Sequence, residues 1–377
     1  MKDINLVSKT GSDNDKKYLK SIIGSVKPVN REKYYGIAEA RLNRLIKPKG
    51  SLGRLEEFAK DIVAITGDER PVLNNKYVCV FAGDHGVCEE GISLFKQDVT
   101  AQMVRNFITG GAAINAIANS SGASVLVVDA GINADLGHLF RENFISAKIK
   151  RGADNIYNGP AMDYNDAAGS ILKGIEIAAM LKEKGAHICA TGDMGIGNTT
   201  PSSAITCFYS GKTPLEVCGK GTGVNAGTIR KKARIIEKAL RFNIADKNDP
   251  VSVLAGVGGL EIGAIAGFIA GCAIYRMPVV VDGFISTAGA LIAINLNPLI
   301  LDYIFLGHVS KEKGHKAAIK LFKGEGGKKK PILDLSMRLG EGTGAVIAMK
   351  IIETAVAMYN NMLTFDEAEV FASKLNI

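Results

Sequence analysis

Tyr77-Val78-Cys79-Val80-Phe81-Ala82-Gly83-Asp84-His85-Gly86 decides the fold. An unbroken apolar run of strand length suits a parallel strand covered on both faces. It ends in a turn carrying an acid between glycines. The same order recurs along the chain: Ser124–Val128 leads into Asp129-Ala130-Gly131, His187–Thr191 into Gly192-Asp193-Met194-Gly195, and Pro278–Val281 into Asp282-Gly283. Tyr303–Leu306 and Ile332–Met337 are further strand candidates, and helical stretches separate the runs. Polar turns at the carboxyl ends of parallel strands are where open α/β sheets bind ligands. The pattern predicts an α/β fold, a doubly wound parallel sheet over residues 71–344 with a cleft built from those turns. The ends read differently. Residues 1–70 are charged and helix-prone, with apolar periodicity in Ile37–Leu45 and Leu55–Ile65, and residues 345–377 read as helix only. Both ends are therefore expected to form a small helical subdomain beside the sheet.

Composition narrows the function classes. The 377 residues are 47% hydrophobic and 22% charged, ordinary for a globular protein. Forty-three glycines exceed the usual level of roughly 7%, and they sit in recurring turns. Lysine and arginine number 46 against 38 acids, a net charge of +8, and Lys311 to Lys330 alone holds eight lysines. No aromatic interleaving or nucleic-acid motif accompanies them, so the segment reads as a solvated face that attracts anionic small molecules, not nucleic acid. Six cysteines show no C-x-x-C pair, and several lie in apolar runs. Together with a polar start, Met1 to Lys20, they point to a cytoplasmic protein without a signal peptide. The cysteines and histidines show no metal-ligand spacing. Leu254 to Tyr275 imitates a membrane span, but contains Glu261 and glycines at every fourth position, Gly259, Gly263, Gly267 and Gly271. A buried helix that lets a neighbour's backbone approach closely is the expected structure, with no membrane contact.

Chemistry concentrates in a few segments. Arg338-Leu339-Gly340-Glu341-Gly342-Thr343-Gly344 places one carboxylate in a glycine-rich turn ahead of a helical run. A ligand can approach such an acid closely, and desolvation makes it a better proton acceptor. Thr191-Gly192-Asp193-Met194-Gly195-Ile196-Gly197-Asn198-Thr199-Thr200-Pro201 takes the chain from a strand through glycines to a helix start, with Thr200 as N-cap and Pro201 as first helical residue. Free backbone N–H groups there suit a phosphate. Gly219-Lys220-Gly221-Thr222-Gly223, followed by Arg230-Lys231-Lys232, repeats the theme with cations. Asp84 and His85 either form an acid–base pair or cap and orient their loop. Ser93 in the following loop and Gln102 beyond it offer polar contacts to a flat ligand.

These segments stand in order with Lys47-Pro48-Lys49-Gly50-Ser51-Leu52-Gly53-Arg54-Leu55-Glu56, Gly110-Gly111-Ala112-Ala113-Ile114-Asn115 and Gly307-His308-Val309-Ser310-Lys311-Glu312-Lys313-Gly314-His315. Jointly, from about residue 35 to the carboxyl terminus, the chain resembles the nicotinate-nucleotide–dimethylbenzimidazole phosphoribosyltransferase family, which activates the lower ligand of cobalamin. The resemblance implies a Rossmann-like three-layer fold with a small helical domain from both termini, a homodimer, and no cofactor or metal. It implies transfer of the 5-phosphoribosyl group of nicotinate mononucleotide to 5,6-dimethylbenzimidazole, giving nicotinate and α-ribazole 5′-phosphate with inversion at C1′. By the same resemblance Glu341 is the general base, with Leu339 and Gly340 lining its pocket. The loop from Asp193 through Gly195, Gly197, Asn198 and Thr199 to Thr200 would hold the ribose phosphate, assisted by Lys231 or Lys232, and Asp193 joins Glu341 as a catalytic residue. Ser93 and Gln102 contact the aromatic base. The family often carries glutamate where this chain has Asp193, so the preferred base stays open. A nucleotide N-glycosidase and a non-catalytic nucleotide sensor are the competing readings.

Overall fold

The computed structural model of the chain describes residues 12–370, apart from residues 138, 140, 220, 222, 325 and 326. Six strands make one sheet: β1 (Lys76–Gly83), β2 (Ala123–Gly131), β3 (Phe144–Ser146), β4 (Ile188–Met194), β5 (Val279–Val281) and β6 (Ile304–Leu306). Their order is β3-β2-β1-β4-β5-β6, and every neighbouring pair is parallel. The chain winds outward from β1 to β3, returns to the free edge of β1 as β4, and winds outward again to β6. The winding reverses between β1 and β4, the place where such sheets bind ligands. Pairing of Ala82 with Met194 sets the two glycine-rich turns side by side at that point.

Alternation along β1 puts helices on both faces. The Phe81 ring lies 5.3 Å from that of Phe268 in the helix Leu260–Ile274, on one face. Val78 points the other way, against Gly342 at the start of the helix Thr343–Asn361. The result is three layers, as the strand pattern requires.

The apolar stretch Leu254 to Tyr275 is two helices, Pro250–Val257 and Leu260–Ile274, and this corrects the single helix expected from its sequence. The break falls at Gly258-Gly259. A Cβ on Gly259 would stand 2.4 Å from His85 Cε1, so the break makes room for that ring. The glycine stripe packs on the helix Tyr164–Glu183: a Cβ on Gly267 would be 1.8 Å from the Ile171 carbonyl oxygen, and one on Gly174 2.0 Å from that of Ala264. No described helix is long and apolar enough to cross a membrane.

Two strand expectations need correction. Ile332–Met337 is not a strand: only a bridge between His308 and Leu333 forms. The Asp334 side chain accepts the Ser336 N–H, and Ser336 has φ of 59°, which turns the chain off the sheet edge. Conversely β3, three residues on the other edge, is too short to stand out in sequence. At the ends, Ala38, Leu42, Leu45, Ala59, Val63 and Tyr359 form an apolar cluster of their own. Leu19 and Ile23, from the helix Ser12–Gly24, join the main core instead. Among the described residues past Asn361, up to residue 370, no further helix forms, and Thr364 bridges Leu45.

Candidate active site

Three successive residues in the left-handed region carry the central acid: Gly340 (φ 85°), Glu341 (φ 63°) and Gly342 (φ 89°). Glycine tolerates this region, while glutamate is strained there, a feature that clusters at functional sites. The Glu341 N–H donates to the Asp193 carbonyl at 3.2 Å, tying the turn to the end of β4. Gly192 permits that contact, since a Cβ there would lie 2.5 Å from the Glu341 carbonyl oxygen. The Glu341 side chain is buried, and its Oε2 accepts the Ile114 N–H at 3.2 Å, at the start of the helix Ala113–Ser121. Burial raises its pKa, the Ile114 N–H partly offsets this, and the negative charge of Asp282 adds to the rise. A buried acid with an elevated pKa is equipped to take a proton.

Asp193 stands beside this turn. Its Oδ2 accepts the Asn198 side-chain N–H at 3.1 Å, and Oδ1 has no hydrogen-bond partner among the described residues. Burial pushes its pKa well up, and Asp282, Glu261 and Glu341 push in the same direction while Asn198 opposes them. Gly195 packs on the Gly83 carbonyl, and Gly197 (φ 93°) on Cys88, so both glycines are required by close approach. The following helix, Thr199–Ser210, begins two residues earlier than its sequence suggests. Asn198 is its N-cap, with its side chain committed to Asp193, and Thr200 is fully buried inside the first turn. This corrects the assignment of Thr200 as cap and of Pro201 as first residue.

Lys232 and Lys231 part company. The buried Lys232 ammonium donates to Thr199 Oγ1 at 2.8 Å, beside Gly221, and burial lowers its pKa. Lys231 instead donates to the Glu90 carbonyl and lies 3.7 Å from the Glu90 carboxylate. Residues 220 and 222 of the neighbouring glycine loop lie outside the described residues. Ser93 braces its own loop by accepting the Phe95 N–H at 3.2 Å, and Gln102 is on the exposed face of the helix Asp98–Thr109. Leu339 is 58% exposed at the mouth of the Glu341 turn.

Asp84 and His85 both make contacts within the protein, and Asp84 Oδ1 has no hydrogen-bond partner among the described residues. Asp84 Oδ2 accepts the Asn133 N–H at 2.8 Å, and burial raises its pKa. His85 Nε2 is 2.8 Å from Glu261 Oε1 in the floor beneath Gly195. Burial alone would lower the His85 pKa, but Glu261 and then Asp84 carry it above its ordinary value. Sequence reasoning passed over Glu261, Asp282 and Thr100 as site residues. The first two had a signal, an acid inside an apolar run and an acid at a strand end. Thr100, whose hydroxyl accepts the Ile196 N–H at 3.1 Å, had none. Among the described residues no group of three or more metal-ligating side chains could hold an ion.

Known proteins resemble this chain over most of its length. A family model described as Phosphoribosyltransferase matches residues 27–370. A protein from Geobacter metallireducens named nicotinate-nucleotide–dimethylbenzimidazole phosphoribosyltransferase is 52% identical over 333 residues, 88% of this chain and 92% of that protein. One of the same name from Geobacter sulfurreducens is 48% identical over 352 residues, 93% of this chain and 98% of its own. The crystal structure of CobT from Thermus thermophilus superposes with a TM-score of 0.85 at 40% identity, covering 90% of this chain and all of that one.

Proposed function

Because the chain belongs to this phosphoribosyltransferase family, we propose that it moves the 5-phosphoribosyl group of nicotinate mononucleotide onto 5,6-dimethylbenzimidazole or a related aromatic base, in assembly of the cobalamin nucleotide loop. One observation carries the reading: Glu341 is a buried, elevated-pKa carboxylate on a strained glycine turn, beside Asp193 and the glycine turn whose Thr199 hydroxyl Lys232 reaches. One imidazole nitrogen attacks C1′ from the face opposite the pyridinium. The C1′–N bond breaks, its electron pair goes to the pyridine nitrogen, and nicotinate leaves with a neutral ring. The proton on the other imidazole nitrogen passes to Glu341. Inversion from β to α follows from direct displacement. The leaving group is already cationic, so departure needs neither a general acid nor a Lewis acid.

In this reading the N–H groups of Gly195, Gly197 and Thr199 and the Lys232 ammonium hold the phosphate, while Asp193 aligns ribose or base. Ser93, Gln102, Leu339 and Gly340 border the aromatic ring. Helices Arg31–Arg44 and Arg54–Thr66, with the end of Thr343–Asn361, act as the small helical unit, and two chains pair as a homodimer in the cytoplasm. The deciding experiment incubates the protein with nicotinate mononucleotide and a panel of benzimidazoles, purines and phenols, and identifies products by mass. An α-ribotide with release of nicotinate is expected. Free ribose 5-phosphate would make the protein an N-glycosidase, and binding without turnover would make it a sensor.

A further inference from the structure

Asp282 follows β5 and is buried, and its Oδ1 accepts the Ala345 N–H at 2.8 Å in the first turn of the helix Thr343–Asn361. That helix opens at Gly342, which has no side chain to cap it. An acid from a neighbouring strand end therefore does the capping, where a negative charge also suits the helix dipole. His308, just past β6, stands behind it with Nε2 3.5 Å from Asp282 Oδ1. The ring is pressed against Gly344, where a Cβ would lie 2.1 Å from Cδ2, and against Gly283. Two strand ends thus grip the base of the turn that carries Glu341.

We propose that Asp282, backed by His308, is a positioning residue for the transfer: it caps the helix behind Glu341 from β5 and presses a second negative charge on the proton acceptor. The inference rests on Glu341 being the base. The groups facing that acid are the Ile114 N–H, Asp193 from β4 and Asp282 from β5. Asp282 is faced by His308 and by the N–H groups of Gly283, Gly342 and Ala345, and His315 lies behind His308. Of the groups acting on Glu341, Asp282 is the charge that raises its pKa. A like charge nearby disfavours ionisation, so removing it makes the acceptor a weaker base that ionises at lower pH.

Asp282→Asn tests this, because the amide oxygen still accepts the Ala345 N–H while the charge is gone. The readouts are kcat against pH and the infrared titration of the carboxyl band that disappears in Glu341→Gln. The acid limb of kcat and the infrared midpoint should both fall by about one pH unit. The plateau of kcat should drop about threefold, as a weaker base implies, with KM for nicotinate mononucleotide within about twofold of wild type. If the amide variant does not fold, Asp282→Ser, whose hydroxyl can accept the same N–H, carries the same expectation. An unmoved infrared midpoint overturns the proposal, whether activity is retained or lost uniformly with pH. A wild-type protein that makes no ribotide would instead defeat the transferase assignment, and the infrared titration would still report on Asp282.

Discussion

Glu341 is mounted where only its side chain, and not its backbone, has chemical work to do. Replacing it with glutamine keeps the size and the Ile114 contact, but the amide cannot accept a proton. Glu341→Gln should therefore fold and bind nucleotide as wild type does while losing about 10²–10⁴ in kcat. Thermal melting and steady-state ribotide formation measure both halves, and near-normal turnover would remove Glu341 from the mechanism. Asp193 poses the finer question. One of its oxygens is bound to Asn198 and the other has no hydrogen-bond partner among the described residues, which leaves it to a ligand. Asp193→Glu advances the carboxylate by about 1.5 Å, one carbon–carbon bond, while the phosphate-facing N–H groups stay in place. The ranking of dimethylbenzimidazole, benzimidazole, adenine and p-cresol by kcat/KM should then change, by on the order of 1–3 kcal/mol between close competitors. A uniform decline across the four bases would reduce Asp193 to a brace for its turn.

At the level of elements, glycines set the distances. Helices Leu260–Ile274 and Tyr164–Glu183 approach until Gly267 rests on the Ile171 carbonyl. Gly267→Ala has no direction in which to relax, because the obstacle is backbone, and should destabilise the protein by about 3 kcal/mol or more. Gly159→Ala, with nothing within 4 Å of the new methyl, is the matched control. Urea unfolding of the pair checks the contrast, and equal midpoints would refute it. The same elements explain what the sequence could reveal. Parallel strands covered on both faces are written as unbroken apolar runs, so β1, β2, β4, β5 and β6 could be read directly. Ile332–Met337 has similar composition yet is turned off the sheet by the local bond between Asp334 and Ser336, which apolar content does not register. The acids at strand ends were equally legible, since an Asp–Gly turn is local. The His85–Glu261 contact joins residues far apart in the chain, and no spacing rule could have foretold it.

Across the whole molecule, the carboxyl ends of the parallel strands collect acids that water would prefer to keep. Asp84, Asp193, Asp282 and Glu341 each have a pKa raised first by burial. A carboxyl with a folded-state pKa above its unfolded one holds its proton more tightly when folded. Its stabilising contribution is complete below the unfolded pKa of about 4 and is lost as pH rises through the folded value. The protein without substrate therefore carries a burden at neutral pH that it sheds on acidification. Asp193→Asn keeps the Asn198 bond and removes one such charge. Its melting temperature should exceed that of wild type at pH 8, and the gap should close toward pH 4. Equal melting temperatures at both pH values would show that Asp193 is not a stored cost.

Strands β1 and β4 pair although more than a hundred residues separate them in the chain. On the ribosome, β1, β2 and β3 emerge first, and the inner edge of β1 then stands bare. Its apolar residues and unpaired backbone groups form the kind of edge that recruits strands from other molecules. The seam between the two halves is thus where a nascent chain is most exposed to error, and it is also where the two glycine-rich turns meet. Any substitution that slows the docking of β4 will first be felt as poor yield of protein, before a single turnover is measured.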